Sequence, residues 1–203
     1  MSSRKVVLIG GGGHAASLLN AFGAEKLCGY VAPEASDIPL TWLGDDDAFL
    51  AADTDTPVHI AFAAGRNGNM ETRRDIIRQY GNRKHATLIA ETATVAPGSC
   101  IGEGCAVMLG AIVNGATLGR DCIVNTGAVV EHACCLGDNV FIGPNATLCG
   151  GVTVGNDCFI GAGATVINCV RICDGAVIGA GAVVTRDITS AGTYAGVPAS
   201  RIK

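Results

Sequence analysis

Residues 118–148 read LGRDCIVNTGAVVEHACCLGDNVFIGPNATL, and every sixth position from the first is aliphatic: Leu118, Val124, Val130, Leu136, Ile142 and Leu148. The register runs on through Val154, Ile160, Val166, Ile172, Ile178 and Val184. Upstream it holds at Val95, Ile101, Val107 and Val113, then slips by one residue before Leu118. Two positions before each aliphatic residue stands a small, uncharged one, such as Cys122, Ala128, Cys134 or Ala146. Strand side chains alternate, so residues two apart share a face. The aliphatic residue and its small partner therefore point inward, and the residue between them points out. Glycines such as Gly119, Gly137, Gly143 and Gly155 follow the aliphatic residue where the chain turns a corner. A period of six fits neither an α-helix nor a hairpin. It describes one short unit stacked many times, none able to bury its apolar side alone. Three strands and three corners close a coil of about eighteen residues, and residues 93–187 hold about five coils of a parallel β-helix.

The bulk composition agrees with a thin aliphatic core: 29 glycines, 4% aromatic residues and 49% hydrophobic residues in a chain of 203. The net charge of −4 and the absence of any basic cluster longer than Arg73-Arg74 argue against nucleic acid, which needs concentrated Lys and Arg. No apolar run approaches the ~18 residues of a membrane span. Arg4 and Lys5 precede only four apolar residues, Val6 to Ile9, before four glycines, too few for a secretory signal. Of the ten cysteines, Cys105, Cys122, Cys134 and Cys158 occupy the small inward slot, where Cys acts as a compact hydrophobe. No two are spaced CxxC. Neither a disulfide framework nor a zinc site is expected, and the setting is a reducing, cytoplasmic one.

Residues 1–88 lack the repeat and read as a small Rossmann-like parallel α/β domain ahead of the β-helix domain of residues 89–203. Val6-Val7-Leu8-Ile9 is a buried strand, followed by Gly10-Gly11-Gly12-Gly13-His14 and a helix from Ala15 to about Ala24. Strands follow at Leu27 to Val31 and Val58 to Ala63. Next come a helix from Met70 to Tyr80, with Ile76 and Ile77 inward, and a last short strand from Ala86 to Ile89. Gly10, Gly12 and Ala15 satisfy a GxGxxA pattern, and a helix amino terminus after a glycine turn attracts phosphate. A lone match leaves two readings open, a phosphate-bearing ligand or a structural turn.

Only four histidines are available for chemistry. His59 falls in a buried strand and is expected to be structural. His85, beside Arg83 and Lys84, is expected to face solvent. His14 ends the glycine turn, where it either caps the helix or touches a ligand. His132 stands at a corner two residues beyond inward Val130. A neutral imidazole there suits a general base near pH 7, and a surface histidine is the other reading. One histidine in the repeat region cannot supply a three-histidine metal site, so no metal is expected.

The stretch Val124-Asn125-Thr126-Gly127-Ala128-Val129-Val130-Glu131-His132, with Cys134 and Leu136-Gly137-Asp138, resembles the signature of bacterial sugar O- and N-acetyltransferases. That family includes sialic acid O-acetyltransferases and N-acetyltransferases of UDP-4-amino-4,6-dideoxy sugars. Gly10-Gly11-Gly12-Gly13-His14-Ala15 resembles its amino-terminal turn, Gly68-Asn69 with Arg73 its GN…R segment, and Ala195-Gly196-Val197-Pro198-Ala199 its carboxyl-terminal motif. The resemblance implies a left-handed β-helix, a homotrimer with sites between neighbouring chains, acetyl-CoA along that cleft, and a nucleotide sugar held by the amino-terminal domain. By the same resemblance His132, with Glu131 beside it, matches the catalytic base. Gly12, Gly13, His14 and Asn125 match substrate-binding positions, and Gly150, Ala162, Ala180 and Phe141 match positions along the acetyl-CoA path. Relatives usually carry an acid where this chain has Ala133, often a second histidine at Phe141, and acids where it has Val31-Ala32-Pro33. The expected activity is acetyl-CoA-dependent N-acetylation of a nucleotide-linked amino sugar. The alternatives are O-acetylation of a sugar and a non-catalytic trimeric scaffold.

Overall fold

The computed structural model describes residues 5–52 and 55–203; Arg4, part of the charged start, lies outside them. The chain first builds a parallel sheet from β1 (Val6–Ile9), β2 (Leu27–Val31) and β3 (Val58–Ile60), in the order β2-β1-β3. All four residues of β1 are buried, as its unbroken aliphatic run requires of a central parallel strand. Helix α1 (Gly13–Phe22) links β1 to β2, α2 (Asp46–Ala51) precedes β3, and α3 (Glu71–Gln79) follows it. The Asp45 carboxylate caps α2 by accepting the Ala48 N–H at 2.9 Å. On α3 the wholly buried residue is Arg73, while Ile76 and Ile77 are half-buried.

From Leu88 the chain winds into a β-helix of three faces, each a ladder of very short parallel strands. Face one carries Leu88–Ile89, Ala106–Val107, Ile123–Val124, Phe141–Ile142, Phe159–Ile160 and Ala176–Ile178. Face two includes Ile112–Val113, Val129–Val130, Thr147–Leu148 and Thr165–Val166, and face three includes Thr117–Leu118, Cys135–Leu136 and Thr153–Val154. Val130 pairs with Leu148 and Val124 with Ile142, one coil apart at the interval the period predicts. Cys100 pairs with Thr117, so the slip shortens one coil by a residue, absorbed at the corner after Val113. The small and aliphatic slots, among them Cys122, Val124, Ala128, Val130, Cys134 and Leu136, fill one continuous core.

Two expectations are corrected. Leu88–Ile89 pairs with Ala106–Val107 and not with the α/β sheet, because Ile89 extends the six-residue period below Val95. The residue between the two inward slots does not always meet solvent. On face one, Ala106, Ile123 and Phe141 are buried in a second core with Leu8, Ala15, Leu18 and Met70. The amino-terminal domain therefore sits on face one. Among the described residues no helix is long and apolar enough to cross a membrane.

Candidate active site

His132 lies at the corner between faces two and three and is exposed. Its imidazole rests against Gly150, one coil on: a Cβ built on that glycine would stand 2.6 Å from both Cε1 and Nε2. Only a residue without a side chain lets the ring lie there. The column is tied along its length, with Gly151 N–H donating to His132 O at 2.9 Å and Cys169 N–H to Gly150 O at 3.0 Å. Gly150 N–H donates to no group among the described residues. It is a free main-chain donor beside an imidazole.

Glu131 does not reach that imidazole among the described residues. Its Oε2 accepts from Asn114 Nδ2 at 2.9 Å and from the His132 main-chain N–H at 3.2 Å. These two donors, Asn114 first, hold its carboxyl below the usual range. Glu131 thus braces the turn that carries His132. Ala133 adopts a left-handed conformation, φ 57°.

A second group of residues gathers at the carboxyl ends of β1, β2 and β3, where open parallel sheets bind ligands. A cavity of about 690 Å³ is lined by Gly10 to His14, Ala32, Glu34 and Ala61 to Ala64, among others. Gly12 starts α1 without a side-chain cap, and no acidic residue occupies the first turn. The first N–H groups of the helix are therefore open to an anion. Added Cβ atoms on Gly12 and Gly13 would meet nothing within 4 Å, so both border open space. His14 lies in the first turn of α1, and its Nε2 is buried without a partner among the described residues. Burial, reinforced by His59 and Arg73, pushes the His14 imidazole down to about 3, so it is neutral.

A further cavity of about 720 Å³ runs along face one, lined by Ala63, Ala64, Gly68, Phe141, Phe159 and Ala180 among others. It adjoins the first, since Ala63 and Ala64 line both. Phe141 is stacked on Phe159 with centroids 4.8 Å apart and planes 1° from parallel. Ala162 and Ala180 are exposed at the corner between faces one and two, and Asn125 is half-buried at the same corner. There Asn125 Oδ1 accepts from Thr126 N–H at 2.8 Å. The sequence-predicted residues thus form three groups on one chain, with Gly12, Gly13 and His14 at the amino-terminal cavity. His132, Glu131 and Gly150 share one corner, whereas Asn125, Phe141, Ala162 and Ala180 lie on another edge. Among the described residues no group of three or more His, Cys, Asp or Glu could hold a metal ion.

The bacterial transferase hexapeptide (six repeats) model matches residues 115–150, 134–168 and 151–186. The acetyltransferase domain of PglB from Neisseria gonorrhoeae FA1090, in complex with acetyl coenzyme A, is 32% identical. The match covers 98% of this chain and 99% of that one, with a TM-score of 0.88. PerB from Caulobacter crescentus, in complex with CoA and GDP-perosamine, is 35% identical over 98% of this chain and 97% of its own, with a TM-score of 0.87. The chain belongs to the hexapeptide-repeat sugar acetyltransferases. WeeI from Acinetobacter baumannii AYE, 21% identical with a TM-score of 0.78 over 98% of this chain and 99% of its own, shares the fold. No match is found among curated proteins.

This sugar acetyltransferase also carries a buried polar seam that sequence reading did not find. His85, expected in solvent, is only 2% exposed. Its Nδ1 meets Asp121 Oδ1 at 2.6 Å and its Nε2 meets Tyr80 O at 3.2 Å. Both partners are acceptors, an arrangement that favours the protonated ring. Although burial opposes it, the Asp121 carboxylate raises its pKa. Arg73 Nη2 donates to Asp121 O at 2.7 Å. His59, structural as expected and wholly buried, contacts Ala86 O through Nδ1 at 2.9 Å. Desolvation pushes it down to about 4. One sequence signal could have pointed to the seam: Asp121, Asn139 and Asp157 recur one coil apart in left-handed conformations, φ 55°, 55° and 56°.

Proposed function

We propose that this protein transfers the acetyl group of acetyl-CoA to the amine of a nucleotide-linked amino sugar. The reading is carried by the apposition of His132 and the unbonded Gly150 N–H. The amine nitrogen attacks the thioester carbonyl carbon while His132 takes a proton from it. The carbonyl oxygen becomes an oxyanion and accepts from Gly150 N–H, an interaction whose loss costs about 3 kcal/mol in comparable sites. The tetrahedral intermediate then expels the CoA sulfur, which takes the proton from the imidazolium. An amide and free CoA result. No acyl-enzyme is required.

Residues 1–88 serve as the nucleotide-sugar domain, with the diphosphate at the open amino terminus of α1 beside Gly12, Gly13 and His14. Residues 89–203 serve as the acetyltransferase domain, with CoA passing Phe141, Ala162 and Ala180. Because His132 and Gly150 lie on a different edge of the chain from Phe141, Ala162 and Ala180, a neighbouring copy would complete the site, which favours a homotrimer. The relatives supply the chemistry class: one binds acetyl coenzyme A, and another is described as a GDP-perosamine N-acetyltransferase bound to CoA and its sugar. Use of acetyl-CoA and nucleotide sugars favours a cytoplasmic setting.

Free-thiol release from acetyl-CoA, measured against GDP-, UDP- and dTDP-linked amino sugars and their hydroxyl counterparts, tests this reading. The amines should give an alkali-stable product. Turnover confined to hydroxyl acceptors would replace N-acetylation by O-acetylation, and no turnover or acetyl-CoA binding would favour the scaffold.

A further inference from the structure

The segment from Gly68-Asn69 to Arg73-Arg74, so far without a role, forms the seam between the two domains. Arg73 is 0% exposed and reaches across to Asp121 O at 2.7 Å. Arg74 Nη1 donates to Asp157 Oδ2 at 3.4 Å. Between these anchor points Asn139 Nδ2 donates to Asp157 Oδ1 at 2.7 Å, so the two arginines grip one continuous left-handed column of the β-helix. At the other end of the segment, Gly68 takes φ +77° and lies directly on Phe159. A Cβ there would come within 2.7 Å of the Phe159 ring.

The loop carrying Ala63 to Gly68 is thus seated on a stacked phenylalanine pair and followed by two arginine anchors. That loop forms the boundary of both cavities, through Ala63 and Ala64 on one side and Gly68 on the other. Apolar contact between Leu8, Leu18, Met70 and Ile123 already binds the domains. A buried guanidinium is costly where burial alone is the aim. What it adds is a directed reach: Nη2 alone finds an acceptor, Asp121 O, while Nε and Nη1 are buried without a partner among the described residues.

We propose that this segment is a positioning clasp, which sets the gap between the nucleotide cavity and the cleft along face one so that acceptor and acyl donor meet in register. It rests on the function read above. Arg73 and Arg74 are positioning residues.

The test uses the full chain and its Arg73→Lys variant, which keeps the charge but replaces the planar guanidinium by a compact ammonium. Binding of GDP or UDP and of acetyl-CoA is measured separately, alongside kcat with the acceptor the wild type prefers. Both binding constants should stay within about twofold while kcat falls roughly 30-fold or more, since misplacement by an ångström costs about 100-fold. Hydrogen exchange over residues 61–70 should rise while β1 and β3 keep their protection. Unchanged kcat and exchange in a folded variant would overturn the clasp, as would a kcat loss matched by equal losses in both binding constants. If Arg73→Lys does not fold, Arg74→Gln, at a partly exposed position, carries the same test with the same outcomes. If the wild type acetylates no acceptor, the function reading fails, and exchange over residues 61–70 alone decides the clasp.

Discussion

The imidazole of His132 lies against the backbone of Gly150, close enough that a single methyl group on the glycine would collide with Cε1 and Nε2. The base and the oxyanion donor proposed here are therefore one unit. Gly150→Ala should displace the ring and crowd the N–H together. Because His132 is exposed and free to swing away, stability should fall by less than the ~1–3 kcal/mol of a core overpacking. The kcat should fall about 100-fold or more, with acetyl-CoA binding within a few-fold. Calorimetric melting and steady-state kinetics check the two halves separately.

Glu131 separates from the base in the same way. Its carboxylate holds Asn114 and the His132 main chain, so it acts on the turn. Glu131→Gln keeps an acceptor oxygen and should retain kcat within about tenfold, below the ~10²–10⁴ that general-base catalysis supplies. The pH profile should keep its lower limb. A loss as large as that of His132→Ala would show that Glu131 does touch the imidazole during turnover.

Ala133 stands in a left-handed conformation that Ala disfavours and that Asn and Asp tolerate. Ala133→Asn should therefore raise stability by up to about 1 kcal/mol, read as a higher melting temperature. Ala133→Asp should be accepted by the fold and place a carboxylate next to His132. An increase in kcat is expected. A melting temperature lowered by both substitutions would contradict the assigned backbone.

Three histidines, His59 and His85 buried and His14 with its Nε2 buried, make stability depend on pH in opposite senses. His59, down at about 4 against an unfolded value of 6.5, is neutral when folded. Its stability is full above pH 6.5 and drains as pH falls toward 4, by about 3 kcal/mol over that window. His14 acts in the same direction down to about 3. His85 is raised by Asp121, so its contribution is present below 6.5 and is lost as pH rises through its folded pKa. The melting temperature should thus fall on acidification from pH 6.5 to 4. In His59→Asn, whose side-chain amide can still donate to Ala86 O, the fall should be shallower. An equal slope in wild type and variant would refute the assignment.

What could be read from the chain alone follows from the range of each interaction. The β-helix was legible because its rule is local: Leu118, Val124 and Val130 announce it within a few residues. The corner position of His132 follows from the same count. The seam was not legible, because Arg73 finds Asp121 48 positions on and His85 finds it 36 positions on. Beside Arg83 and Lys84, His85 looks like part of a solvated linker; only the fold brings the carboxylate that buries it. The ladder that Leu88–Ile89 joins is not legible, because two residues carry too little period to show it.

The most direct measurement is CoA release from acetyl-CoA by the purified protein with its preferred nucleotide-linked amino sugar, wild type beside His132→Ala. With His132 as the base, the variant should fold, still bind acetyl-CoA within a few-fold, and lose kcat by about 100-fold or more. Full turnover by His132→Ala would contradict that role, and the base would have to be sought elsewhere.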